Sequence, residues 1–70
     1  MRHDEIIFVV EDSLDGGLEA RALGHSIYSE AETPEELREM LRDAVRCHFE
    51  EDELPRMIRL HWVRDEVLAV

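Results

Sequence analysis

Residues 33–49 read TPEELREMLRDAVRCHF, and this stretch decides the fold. Thr33 offers a hydroxyl at the N-cap, Pro34 takes the first helical position, where a missing N–H costs nothing, and Glu36 at the third completes a capping box. A helix starts there. From Leu37 onward Met40, Leu41, Ala44, Val45, His48 and Phe49 recur at i+3, i+4, i+7, i+8, i+11 and i+12, forming one apolar stripe. Arg38, Glu39, Arg42, Asp43 and Arg46 fill the opposite face. Glu35 with Arg38, Glu39 with Arg42 and Asp43 with Arg46 are spaced for surface pairs of about 0.2–0.5 kcal/mol each. Glu50, Glu51, Asp52 and Glu53 then set negative charge at the carbonyl end, where the helix dipole opposes it, and Pro55 stops the helix.

On the amino side, residues 6–10 (IIFVV) are a short, β-branched, unbroken apolar run, which predicts a strand buried on both faces and interior to its sheet. Residues 11–17 (EDSLDGG) contain Asp-Gly and Gly-Gly pairs suited to closing a hairpin. The second strand follows at residues 18–22 (LEARA), which alternate apolar with charged. Leu23-Gly24 breaks it, and residues 25–30 form a third strand with Ile27 facing one side and Tyr28 the other. On the carboxyl side, residues 57–63 alternate again, with Ile58, Leu60 and Trp62 on one face and Arg59 and His61 on the other. Arg64-Asp65-Glu66 interrupts the pattern before an apolar tail at residues 67–70.

The order strand, strand, strand, helix, strand predicts a single α+β domain over residues 1–70. Short links make the first three strands an antiparallel meander, and a right-handed crossover through the helix sets the fourth parallel to the first. The result is a four-stranded mixed sheet in the order 3-2-1-4, with one helix on one face. Either Ile6, Phe8 and Val10 or Ile7 and Val9 must then face away from the helix, with Tyr28, Met57 and Val63 adding to that surface. Exposed apolar surface of this kind marks an interface. The tail is too apolar to hang free, so Val67 and Leu68 are expected on a sheet edge or a neighbouring subunit. Ile7, Val9, Val63, Val67 and Leu68 are thus the candidate contacts of a homo-oligomer, dimer or higher, which a chain of 70 residues with a small core also favours.

The formal charge of −10, from 18 acidic and 8 basic residues, argues against direct binding of nucleic acid or anionic lipid and favours a basic protein partner. All the basic residues are arginine, and lysine, asparagine and glutamine are absent, a bias expected of a GC-rich genome or a thermophile. Residues 1–5 (MRHDE) lead into too short an apolar run for a signal peptide, and no stretch reaches the length of a membrane span. With Cys47 the lone cysteine, the expected compartment is the cytoplasm.

Candidate chemistry is sparse. Cys47-His48 is the one adjacent pair of soft ligands, but successive helix positions diverge by about 100°, and neither Cys-x-x-Cys nor His-x-x-x-His occurs. His48 reads as a boundary residue of the core stripe and Cys47 as a buried, inert thiol with no oxyanion donor beside it. Gly16-Gly17 is explained by its turn. Two-metal nuclease chemistry needs carboxylates converging from adjacent strands, and the central run offers none. The expectation is no catalytic residue, no metal and no cofactor. Glu50, Glu51, Asp52 and Glu53 read as a solvated loop or, functionally, as an electrostatic docking patch, and with Tyr28 they are the candidate partner-binding residues.

Gly17-Leu18-Glu19-Ala20, Leu23-Gly24-His25-Ser26-Ile27, Ala31-Glu32-Thr33-Pro34-Glu35-Glu36-Leu37 and Asp43-Ala44 together resemble the HicB family of antitoxins, over roughly residues 6–63. Leu18 stands where that family has an aromatic and Leu23 where it has proline, and no DNA-binding segment follows the last strand. The resemblance implies a partial RNase H-like fold without nuclease activity, which binds a small basic HicA-like ribonuclease toxin and masks its catalytic histidine. In the short form it implies no repression of its own operon. The alternative is an orphan, self-assembling structural or regulatory domain without a toxin.

Overall fold

The computed structural model describes residues 4–70, and the reading of residues 1–3 at the amino end lies outside the described residues. The chain forms strands β1 (Glu5–Asp12), β2 (Leu18–Ala22) and β3 (Tyr28–Ala31), helix α1 (Pro34–His48), a single 3-10 turn (Glu51–Glu53) and strand β4 (Met57–Val63). The sheet runs β3-β2-β1-β4, with β1 antiparallel to β2 and parallel to β4. This is the four-stranded mixed sheet with one helix that the sequence predicts.

Helix α1 begins as its cap dictates. Thr33 is extended, at φ −131° and ψ 157°, and its Oγ1 accepts the Glu36 N–H at 3.1 Å. The Phe49 N–H donates to the Val45 carbonyl at 3.2 Å and closes the far end. Leu37, Leu41 and Val45 are buried, while Met40 lies at the rim of the stripe. On the outer face Asp43 and Arg46 approach to 3.6 Å.

The helix lies nearest β3, above a floor of small residues. Ala20, Ala22, Ser29 and Ala31 are buried there, and they let the helix approach closely enough for Leu37 and Leu41 to reach Phe8 and Val10 in one core. Across the sheet toward β4 the cover thins. Ile58 and Leu60 are half-buried beside a shallow groove also lined by Arg38, Leu41 and Arg42, and Trp62 is 43 % exposed.

Two turns need glycine. Gly24, at φ +79°, reverses the chain so that the Ala22 N–H donates to the Ile27 carbonyl at 3.0 Å. Gly17 sits so close to β3 that a Cβ there would lie 2.7 Å from the Ala31 carbonyl oxygen.

Four expectations are corrected. β1 extends to Glu5 and Asp12, and it is buried on one face only: Ile6, Phe8 and Val10 are covered by the helix layer, whereas Ile7 and Val9 are half-buried. The single helix shields one side only, which leaves the alternating burial pattern of a strand with one open face. The third strand is Tyr28–Ala31 rather than residues 25–30, because residues 23–26 are consumed by the turn at Gly24. Cys47 is exposed, not buried, since it lies two positions past Val45 and about 200° around the helix from it. Of the two places expected for the tail, an edge of its own sheet is not taken, since residues 64–70 carry no regular structure and Val67 and Leu68 are exposed; the contact with a neighbouring subunit stays an expectation. No glycine or proline follows Val63 to turn the chain back.

A glutamate-crossed open sheet face

The register of the ladders places side chains on the uncovered face in cross-strand rows. Glu30 on β3 stands opposite Glu19 on β2, Glu19 opposite Glu11 on β1, and Glu11 opposite Val63 on β4. The next row runs Tyr28, Arg21, Val9, His61. Ile7 lies beside Arg59, and Glu5 beside Met57. The face therefore combines apolar Ile7, Val9, Met57 and Val63 with a line of glutamates crossing three strands.

Like charges directly opposite one another are unfavourable in a sheet. Tyr28 offsets part of this. Its hydroxyl lies 3.2 Å from a Glu19 carboxylate oxygen and 3.1 Å from one of Glu30, and it donates its proton to these two acceptors in turn. Partial loss of solvent, the hydrogen bond to Glu30 and the negative charge of both carboxylates push the phenol up to about 12. Tyr28 remains a neutral donor throughout the ordinary pH range.

Arg59 is committed differently. Its Nε and Nη2 donate to the two carboxylate oxygens of Glu5 at 2.9 and 3.1 Å, a bidentate pair between β4 and β1. That hydrogen bonding, opposed by partial desolvation and aided by the charge of Arg59, holds the Glu5 carboxyl below its usual range. Arg59 is correspondingly raised. The negative character of the face thus resides in Glu11, Glu19 and Glu30.

The sequence-predicted residues distribute unevenly. Ile7, Val9 and Val63 share the open face with Tyr28. Glu50, Glu51, Asp52 and Glu53 form the exposed turn between α1 and β4, with the Glu53 N–H donating to the Glu50 carbonyl at 2.9 Å. Tyr28 lies on β3, at the opposite edge of the sheet from the strand this turn enters, so the structure does not unite it with the acidic run. Val67 and Leu68 lie beyond the sheet on the tail. Glu11, Glu19 and Glu30 were missed, although the signal was present: the hairpin length and the alternation of residues 18–22 fix their shared parity.

At the far end of α1, His48 stands edge-on to Phe49 and His25, with ring centroids 4.9 and 5.7 Å away. His48 is exposed and not part of the core stripe. Among the described residues no group of three or more His, Cys, Asp or Glu could hold a metal ion. No helix among them is long and apolar enough to cross a membrane.

No family model matches the chain. No solved structure matches it either. Two known proteins do. A UPF0150 protein of Archaeoglobus fulgidus is 57 % identical over 54 residues, covering 77 % of this chain and 80 % of the relative. A UPF0150 protein of Thermotoga maritima is 41 % identical over 66 residues, covering 94 % and 93 %. At these identities and coverages the chain belongs to the family of UPF0150 proteins.

Proposed function

We propose that this chain is a protein-binding module of the HicB antitoxin kind, without catalysis of its own, which holds a small basic ribonuclease toxin and masks its active site in the cytoplasm. The observation that carries the reading is the glutamate row Glu11–Glu19–Glu30 set among apolar residues on the face the helix leaves open. Opposed carboxylates cost stability in the free chain. A cationic surface laid across them would relieve that repulsion, while Ile7, Val9 and Val63 would supply apolar contact area. The charge of −10 adds long-range attraction that speeds and orients the encounter. The exposed acidic turn at Glu50, Glu51, Asp52 and Glu53 extends this field at the rim.

The test is affinity capture from the native host, followed by mass spectrometry. A small arginine- or lysine-rich protein should co-purify, leave as salt rises, and degrade RNA only once freed. Capture should fail with the Glu11→Gln, Glu19→Gln, Glu30→Gln variant. Recovery of no basic protein, or capture indifferent to those substitutions, contradicts the proposal.

A further inference from the structure

Strand β4 forms one edge of the sheet, so among the described residues no strand pairs with its outer side. The Met57 N–H donates to the Asp4 carbonyl at 3.1 Å, and Met57 is registered beside Glu5. Backbone groups alternate from side to side along a strand. Met57, Arg59, His61 and Val63 therefore turn theirs toward β1, while Ile58, Leu60 and Trp62 turn theirs outward. Exposed edges are usually blunted by proline, a bulge or charge. Met57–Val63 contains no proline, glycine or acidic residue, and its one arginine is held by Glu5.

We infer that the partner of this edge is the β4 strand of a second copy of the chain, paired antiparallel about a two-fold axis through Leu60. In that register Ile58 meets Trp62 of the second copy and Met57 meets Val63 of the second copy, so apolar residues oppose apolar residues on both faces. Arg59 meets His61 of the second copy. Every outward N–H and C=O of the strand gains a partner, because Ile58, Leu60 and Trp62 pair among themselves. Sliding by two residues either way sets Arg59 or His61 opposite its own copy and shortens the ladder.

Charge selects the same contact. Two chains at −10 repel, but residues 54–64 (LPRMIRLHWVR) carry no acid and include Arg56, Arg59 and Arg64. This is the stretch where two copies approach with least repulsion. The contact is isologous and closes on itself. It places both helices on one side of a continuous sheet and both glutamate rows on the other, so it stands whether or not a basic partner binds there.

Disulfide trapping tests it in a Cys47→Ser background, using Met57→Cys and Val63→Cys as separate chains. Both positions are exposed and, in this register, face each other in a non-hydrogen-bonded pair about 4.5 Å apart between Cα atoms, within disulfide reach. Each position lies roughly 20 Å from its own copy. Oxidising a mixture of the two variants should give a covalent dimer, and neither variant should link to itself. The unmodified chain should sediment at twice its single-chain mass. Sedimentation as a single chain up to millimolar concentration overturns the inference, as does self-linking of either variant as readily as the mixture.

Discussion

Glu19 and Glu30 are cross-strand partners that share one hydroxyl, that of Tyr28, at 3.2 and 3.1 Å. A row of carboxylates on an uncovered sheet face is thus partly, but not fully, satisfied within the chain. The Tyr28 phenol offers one proton to two acceptors, and Glu11 continues the row.

Tyr28 is the only tyrosine, so its ionisation can be followed directly by ultraviolet absorbance. The folded chain should titrate near 12, against the 10.0 of an ordinary phenol side chain. Because the folded value is raised, the neutral phenol contributes stability that is fully present below the unfolded value and lost as pH rises through about 12. Glu30→Gln and Glu19→Gln should each bring the midpoint down, Glu30→Gln by more.

The Glu5–Arg59 pair acts at the other end of the pH scale. The bidentate hydrogen bonding of Arg59 holds the Glu5 carboxyl below its usual range in the fold, so its contribution is present above the unfolded value and lost as pH falls through the folded one. Urea unfolding at neutral and acid pH should show this loss in the native chain. Glu5→Gln and Arg59→Ala should both reduce the difference between the two conditions.

Repulsion along the glutamate row predicts an unusual sign. Removing one charge, as in Glu11→Gln, should leave the chain as stable as before or more so, and added salt should stabilise the native chain more than this variant. Thermal unfolding at two salt concentrations measures it.

Leu41 is 1 % exposed at the centre of the helix–sheet contact. Leu41→Ala should cost about 2–5 kcal/mol, a large part of the whole stability of so small a domain. Thr33→Ala, which removes the acceptor of the Glu36 N–H, should cost about 0.5–2 kcal/mol. Chemical denaturation of the two variants should rank them in that order.

The fold was legible because its signals are local and agree. The Thr33-Pro34 cap, the stripe through Leu37, Leu41 and Val45, the Asp15-Gly16 turn and the alternation of residues 57–63 each specify one element, and element order then limits the topology. The site was less legible. Glu50, Glu51, Asp52 and Glu53 stand out as a run in the sequence, whereas Glu11, Glu19 and Glu30 are scattered along it and converge only through strand register. Cys47 was misjudged because it adjoins the stripe in sequence while pointing elsewhere on the helix. The tail at residues 67–70 is apolar, but neither strand alternation nor helical spacing in it assigns it a place in the fold.

The most direct test of the account is amide chemical-shift mapping of the isotope-labelled chain during titration with the basic protein captured from the host. The account predicts shifts concentrated on β1, β2 and β3 at Glu11, Glu19, Tyr28 and Glu30, reaching Val63 on β4. Shifts concentrated instead on the outer helix face, at Arg38, Glu39, Arg42 and Asp43, with the glutamate row unmoved, would contradict it.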